Sequence, residues 1–231
     1  MTADSLECNL RQVRSRIQAA CIRAHRSPDQ VELIAVSKKQ PADAIRAVRQ
    51  LGQRAFGESY VQEALDKMAL LADLDIEWHF IGRVQANKTR QIATHFDWLH
   101  SLADPAHARR LSEQRPVGAP PLNVCLEVNL SGESSKAGVA PAAVAELLAI
   151  CADLPGLHVR GLMTLPAPVE DEAAQRQPFQ SLRALRDQLA TPTRPLSCLS
   201  MGMSDDLESA ILEGTTFVRI GTAVFGPRSF R

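Results

Sequence analysis

The sequence predicts a single (β/α)8 TIM-type barrel with an extra N-terminal helix. Eight short apolar runs alternate with helical patterns along the 231 residues, which is typical of parallel βαβ units. Eight such units in this length match a closed barrel, which usually takes about 250 residues. An open doubly wound sheet is the alternative, but no G-x-G-x-x-G turn follows an early run. Because no sharp domain boundary interrupts the pattern, we expect residues 1–231 to form one domain.

The first predicted element is an amphipathic helix from about Ser5 to His25. Its apolar residues recur at helical spacing and are expected to share one face: Leu6, Leu10, Val13, Ile17 and Ile22. Too few residues follow the eighth apolar run for a full final helix. We therefore expect the N-terminal helix to cover the gap on the outside of the barrel.

The predicted strands are the apolar runs at 32–37, 54–59, 76–82, 96–102, 122–130, 157–163, 196–200 and 216–221. After the first run, Pro41 opens a helical pattern that Gly52 closes. Later helical patterns occupy 141–156 and 179–190. The segments 112–121 and 165–178 are rich in polar residues and proline, and are interpreted as solvated loops.

Composition excludes several classes of protein. Twenty-six Lys and Arg balance 26 Asp and Glu, so we expect no general attraction to nucleic acid or to an anionic membrane. No apolar run approaches the ~20 residues of a membrane helix, and no signal peptide opens the chain. The five cysteines lie far apart without a C-x-x-C motif, and the histidines lack ligand spacing. These features predict no disulfide and no metal site, and a cytoplasmic location.

Chemistry in such barrels collects at the carboxyl ends of the strands. The segments "SMGMS" (200–204) and "RIGT" (219–222) follow the seventh and eighth runs, where phosphate sites are often built. Taken singly, each segment is interpreted as an ordinary turn. Taken together at these positions, they favour a phosphate site.

Lys38 follows the first run, and Arg219 lies in the eighth. Because the first and eighth strands are neighbours in a closed barrel, both cations are expected to face the same mouth. A lysine in a largely apolar mouth beside another cation becomes nucleophilic. An amine beside a phosphate site fits a Schiff base with a phosphorylated aldehyde. The alternative for Lys38 is an ordinary surface lysine.

The segments "LIAVSKKQP", "AFGESYVQEALDK", "EWHFIGRVQANK", "VNLSGESSKAG", "RGLMTLP", "LSMGMSDDLESAI" and "VRIGTAVFG" together strongly resemble the pyridoxal phosphate homeostasis protein family. The resemblance runs from about residue 5 to the C-terminus. It implies a barrel like the cofactor-binding barrel of alanine racemases, usually monomeric. It also implies that pyridoxal 5′-phosphate (PLP) is held as a lysine Schiff base.

Carried onto this sequence, the resemblance assigns the Schiff base to Lys38. Phosphate binding is expected from Ser200, Ser204, Gly221 and Thr222, and Arg219 is implied as a further cofactor-binding residue. Secondary contacts are expected from Ser59, Met201 and Lys136. The chain departs from the family's usual "SKTKP" with "SKKQP", and from "FGENY" with "FGESY".

Two classes of function fit these residues. The favoured one is a carrier that buffers or delivers PLP, passing it to apo-enzymes that need it. The alternative is an alanine-racemase-like enzyme, although Tyr60 is the single tyrosine available as an opposing base. An arginine at the pyridine nitrogen keeps that nitrogen unprotonated and weakens the ring as an electron sink. A class I aldolase that uses Lys38 directly would look alike in sequence.

Overall fold

The computed structural model describes residues 3–131 and 137–226, in which eight parallel strands close into a barrel. The strands follow chain order around the barrel, and the first pairs with the eighth. They are β1 (Glu32–Val36), β2 (Ala55–Glu58), β3 (Glu77–Phe80), β4 (Trp98–Leu102), β5 (Leu122–Glu127), β6 (Leu157–Met163), β7 (Cys198–Ser200) and β8 (Phe217–Ile220). The predicted fold class is confirmed, and each strand lies within its predicted run.

Helices cover the outside of this barrel. They are α1 (Ala3–Arg23), α2 (Ala42–Gln50), α3 (Val61–Leu70), α4 (Thr89–His95), α5 (Pro105–Gln114), α6 (Val144–Ala152), α7 (Glu172–Leu189), α8 (Leu207–Leu212) and α9 (Thr222–Phe225). Short 3-10 turns occupy Pro28–Gln30, Ala86–Lys88 and Pro141–Ala143. Within the described residues, no helix is both long enough and apolar enough to cross a bilayer.

Side chains alternate between the barrel interior and the layer under the helices. The outer layer is the main apolar core, and Ala35, Phe56, Leu199 and Val218 belong to it. The interior holds a second, smaller apolar cluster: Ile34, Ala55, Trp98, Cys125, Met163, Cys198 and Phe217. The interior positions above this cluster, toward the carboxyl ends of the strands, carry polar side chains.

Helix α1 fills the place of the missing final helix, as predicted. Leu6, Leu10, Val13 and Ile17 are buried in the outer core, and Asn9 Nδ2 donates to the backbone oxygen of Val224 in the short α9 (3.1 Å). The prediction for Ile22 is wrong, because its side chain is 66% exposed. Ile22 comes five residues after Ile17 and so lies off the apolar stripe of the helix. The stripe continues through Ala20 and Cys21 instead.

The boundaries of α2 match the prediction: Pro41 is its N-cap, and Gly52 follows its C-terminus at φ +87°, a conformation that favours glycine. The loop prediction for 165–178 is wrong beyond Asp171. Helix α7 starts at Glu172, where the Asp171 carboxylate accepts from the amide of Ala174, and it continues through Pro178. Likewise, α5 extends to Gln114, inside the predicted loop 112–121.

Candidate functional site

A cavity of about 550 Å³ opens at the carboxyl ends of β1 and β8. Its volume lies in the usual range for small-molecule sites. Apolar walls come from Val36, Ile81, Leu165 and Met203. The polar side chains that line it in the described part of the chain are Arg16, Lys38, Gln40, Ser204, Asp205, Arg219 and Thr222.

Lys38 lies half-buried directly after β1 and lines this cavity. Its neighbour Lys39 is exposed and adopts φ +62°. The backbone amide of Lys39 donates to the carboxylate of Glu63 on α3. The sequence prediction that separates Lys38 from Lys39 therefore has a structural basis, because only the first of the two lines the cavity.

A buried ion cluster supports the backbone behind Lys38. Lys67 Nζ, on α3, donates to the backbone oxygen of Ser37 (2.8 Å), to Glu58 Oε1 (2.8 Å) and to Glu63 Oε1 (2.6 Å). The hydroxyl of Ser37 donates to the same Glu58 oxygen (2.6 Å). Burial raises the pKa of Glu58, although Lys67 opposes the shift. This cluster ties α3 to the end of β1 and so fixes the point from which Lys38 projects.

The loop after β7 supplies Ser204 to the cavity. Gly202 in this loop has φ +95°, and a Cβ there would lie 2.6 Å from the Cβ of Ala210. The loop is closed further along by the amide of Met203, which donates to Asp206 Oδ1 (2.6 Å). The glycine of "SMGMS" is therefore required by the local backbone and by close packing against α8.

Arg219 lies on β8 with its guanidinium buried at the floor of the cavity. Its Nη1 donates to Ser200 Oγ (2.6 Å), and its Nη2 donates to the backbone oxygen of Thr164 (3.0 Å). Burial lowers its pKa to about 10, while Asp206, Cys125 and Glu127 oppose the shift. The guanidinium is therefore still charged at neutral pH. It also keeps donors beyond the two used in these bonds, since arginine has five N–H groups.

Ser200 lies inside the barrel beneath the cavity and does not line it. Its hydroxyl contacts Arg219 and His100 Nδ1 (2.8 Å). His100 Nε2 in turn lies 2.9 Å from His79 Nδ1. Sequence reasoning missed these two histidines. Polar side chains at alternate, inward positions of otherwise apolar runs are the signal that could have found them.

Arg16 is a second residue that the sequence analysis missed. It projects from α1 into the cavity wall, where its Nη2 donates to the backbone oxygen of Ser204 (2.8 Å). Both oxygens of Glu208 accept from the same guanidinium, at 2.7 and 2.8 Å. The hydrogen bond to Glu208 raises the pKa of Arg16, so a permanent cation lies beside Ser204.

The predicted secondary residues have different positions. Ser59 is half-buried after β2 but does not line the cavity. Met201 is fully buried in the outer core, because consecutive residues of β7 point to opposite faces and Ser200 points inward. Lys136 lies outside the described residues.

Comparison with known proteins agrees with this geometry. Residues 3–229 match the family described as alanine racemase, N-terminal domain. The pyridoxal phosphate homeostasis protein of Pseudomonas aeruginosa is 54% identical over 222 residues, which cover 96% of this chain and 95% of that protein. The chain belongs to the pyridoxal phosphate homeostasis protein family.

Other members of the pyridoxal phosphate homeostasis protein family support this assignment. The homeostasis protein of Escherichia coli K12 is 47% identical over 225 residues, with 96% of both chains covered. PipY of Synechococcus elongatus PCC7942, solved with PLP bound, superposes with a TM-score of 0.83 at 37% identity. The match covers 96% of this chain and 100% of PipY.

Proposed function

We propose that this chain binds PLP covalently through Lys38 and carries, buffers or delivers it without efficient amino-acid turnover. One observation carries the proposal: a single cavity is lined by the amine of Lys38, the guanidinium of Arg219 and the hydroxyls of Ser204 and Thr222. These groups match three polar parts of PLP, namely its aldehyde, its ring nitrogen and its phosphate. PLP bound to PipY, a relative with the same fold, supports the proposal.

The phosphate end is assigned to Ser204, Gly221 and Thr222, which we call the phosphate cradle. Ser200, expected there from the sequence, is left out because it does not line the cavity and its hydroxyl contacts Arg219 and His100. The cradle residues line one side of the cavity together with Arg16. Short neutral donors suit a dianion, and Arg16 supplies compensating positive charge from α1. The charged groups that line the described cavity are three basic residues, Arg16, Lys38 and Arg219, and one carboxylate, Asp205. The cavity therefore attracts an anion.

Lys38 supplies the covalent bond. The lone pair of its neutral amine attacks the aldehyde carbon, and the carbon–nitrogen double bond of a Schiff base forms. The aldehyde oxygen takes the two amine protons and leaves as water. Water or a second amine reverses the bond by attacking the same carbon, which permits release to an apo-enzyme.

Arg219 and the lack of an opposing base at Tyr60 together favour a carrier; Arg219 alone does not decide, because a racemase with an arginine at the ring nitrogen can still work. Its guanidinium is a permanent donor, so a ring nitrogen placed against it accepts a hydrogen bond and stays unprotonated. An unprotonated ring is a weaker electron sink for amino-acid chemistry. Tyr60, the candidate for an opposing base, is 51% exposed and does not line the cavity. The proposal includes a monomeric protein in the cytoplasm, where its five cysteines are free thiols.

The test of the covalent site is borohydride reduction of the PLP-loaded protein, followed by peptide mass spectrometry. We expect the adduct on Lys38, its loss in Lys38→Ala and its retention in the matched control Lys39→Ala. An adduct that persists in Lys38→Ala would overturn the assignment. The visible spectrum also separates the aldolase alternative, because an aldolase needs no PLP.

The carrier role has its own test. Loaded protein is mixed with an apo-enzyme that requires PLP, and recovery of that enzyme's activity is followed. In parallel, L- and D-amino acids are incubated with loaded protein in deuterated water to follow α-proton exchange. We expect transfer, with exchange well below ~1 per second, the lower end of ordinary turnover. Fast exchange or the absence of transfer would favour the racemase-like alternative.

A further inference from the structure

A line of polar side chains crosses the barrel interior from the floor of the cavity toward the opposite end. Arg219 contacts Ser200, Ser200 contacts His100, and His100 contacts His79, each within 2.9 Å. Beyond them, Glu77 Oε1 lies 3.5 Å from His79 Nε2. Glu77 lines a separate cavity together with Asp97 and Pro120. The line therefore joins the two ends of the barrel.

Aromatic packing holds the two imidazole rings in place. The ring of His79 stacks on Trp98, with centroids 5.7 Å apart and planes within 6°. The ring of Phe217 meets both imidazoles edge-on. With their rotations restricted in this way, the nitrogens of His79 and His100 keep fixed partners.

The donor and acceptor capacities of these side chains give the line a direction. The guanidinium of Arg219 can only donate, so Ser200 Oγ accepts from it and has its own proton to give. His100 is fully buried, and burial together with the charge of Arg219 lowers its pKa well below the usual value, so it is neutral. Its Nδ1 accepts from Ser200, and its Nε2 therefore carries the proton donated to His79 Nδ1.

The same assignment of donors and acceptors fixes the position of the proton on His79. Because Nδ1 accepts from His100, the proton of His79 lies on Nε2. This nitrogen is buried and makes no hydrogen bond within the described residues, but it faces the carboxylate of Glu77. The reverse direction would set a nitrogen lone pair against that carboxylate. Every donor thus points away from Arg219 and toward the negative charge.

We propose that Ser200, His100 and His79 form a directional hydrogen-bond chain, which faces the carboxylate of Glu77 and positions the guanidinium of Arg219 for the ring nitrogen of the ligand. The proposal rests on the proposed function in one respect, the ring nitrogen facing Arg219. Ser200 and the histidines act through Arg219 and are positioning residues. Ser200 in this role serves the ring end of the cavity, whereas Ser204 belongs to the phosphate cradle.

The first test needs no ligand. In the wild-type protein labelled with ¹⁵N-histidine, long-range ¹H–¹⁵N spectra report which ring nitrogen is protonated, and His79→Asn and His100→Asn assign the signals. We expect both histidines to be neutral with the proton on Nε2. A proton on Nδ1 of His100 would overturn the directional chain, whatever the protein binds.

The second test measures the effect on Arg219. PLP labelled with ¹⁵N in the ring is bound to the wild type, to His100→Leu and to His100→Asn. Leucine removes the acceptor for Ser200, so we expect about tenfold weaker binding and a shifted ring-nitrogen signal. Asparagine places an oxygen close to the position of Nδ1. We expect it to restore most of the PLP affinity and most of the wild-type ring-nitrogen signal. The matched control is His158→Leu, at an exposed position of β6.

Ser200→Ala breaks the same link with a much smaller change in volume. It keeps the test decisive if His100→Leu does not fold, and we expect the same shift in the ring-nitrogen signal. If PLP binds on Lys38 and the signal is unchanged in both Ser200→Ala and His100→Leu, the positioning role is overturned while the proposed function stands. If the wild type does not bind PLP, the proposed function fails, and the histidine protonation states still decide the direction of the chain.

Discussion

The guanidinium of Arg16 donates to the backbone oxygen of Ser204, so the N-terminal helix is joined directly to the phosphate cradle. Glu208 accepts from the same guanidinium through both carboxylate oxygens. Arg16 therefore has a structural role in holding the loop and an electrostatic role beside the cavity. These two roles can be separated by experiment.

Arg16→Met should weaken PLP binding about fivefold, which corresponds to about 1 kcal/mol. The effect is modest because Glu208 offsets part of the charge and the side chain is 37% exposed. Titration at two salt concentrations should show a weaker salt dependence in the variant. The matched control is Arg23→Met on the same helix, which breaks an exposed pair with Glu172. Equal losses in both variants would contradict a specific role for Arg16.

Thr222→Val should reduce the preference for PLP over unphosphorylated pyridoxal. Valine keeps the shape but removes a hydroxyl donor, which typically contributes about 1 kcal/mol. We expect about fivefold weaker binding of PLP and little change for pyridoxal, measured by spectral titration. Thr94→Val, at an exposed position of α4, should change neither. An equal loss for both ligands would place Thr222 away from the phosphate.

Lys67→Met should destabilise the fold by about 3 kcal/mol, because removing one partner leaves the Glu58 carboxylate buried without its cation. Chemical denaturation measures this loss. Burial already raises the pKa of Glu58, so the variant should take up a proton there. The folded state then binds more protons than the unfolded state, and the loss should be larger at pH 8 than at pH 5.5.

Two comparisons check the Lys67 prediction. Glu58→Gln combined with Lys67→Met should recover part of the stability, because no buried charge remains without a partner. Arg54→Met breaks an exposed pair with Asp75 and should change the unfolding free energy by no more than about 0.5 kcal/mol. A Lys67→Met loss as small as this control would show that the buried cluster contributes little.

His100 should make stability depend on pH below about 6.5, the ordinary pKa of an unfolded histidine. Its folded-state pKa is lowered by burial and by the neighbouring charge of Arg219. Between the two pKa values the unfolded state therefore binds a proton that the folded state does not bind. The free energy of unfolding falls as pH drops from 6.5 toward the folded pKa. The slope for one such group approaches about 1.4 kcal/mol per pH unit.

The comparison for this pH prediction is His100→Asn, which keeps a polar acceptor but does not titrate. The unfolding free energy of the wild type minus that of the variant should be constant above about pH 7 and should decline as pH falls to 5. Subtraction removes the carboxylates that both proteins share, such as Glu77 and Glu127. A difference that stays flat from pH 5 to 7 would show that His100 takes up protons equally in both states.

Much of the fold could be predicted because its signals are local. Apolar runs and capping residues identified every strand and both ends of α2. The start of α7 was missed because the segment 165–178 is rich in polar residues and proline, whereas the Asp171 cap was the stronger signal. The prediction for Ile22 is wrong because a position five residues after Ile17 lies off the apolar face of a regular helix.

The site was less predictable because part of it depends on distant packing. Lys38, Ser204 and Thr222 stand at strand ends, where the barrel rule places functional groups. The docking of α1 was predicted, but the contact of Arg16 with Ser204 depends on how α1 is rotated against α8 and α9, which no local pattern shows. The outward orientation of Met201 could have been predicted, since an inward Ser200 requires the next residue to face outward.

The pairing of β1 with β8 has a consequence for synthesis. Lys38 leaves the ribosome early, whereas Gly221 and Thr222 come almost at the end of the described chain. Helix α1 emerges before all eight strands, yet its docking surface on α8 and α9 is made after β7. The ligand site therefore cannot assemble until β8 and α9 have left the ribosome, when ring closure brings its two halves together. Partly made chains should expose the face of α1 and depend on chaperones until the final strand is available.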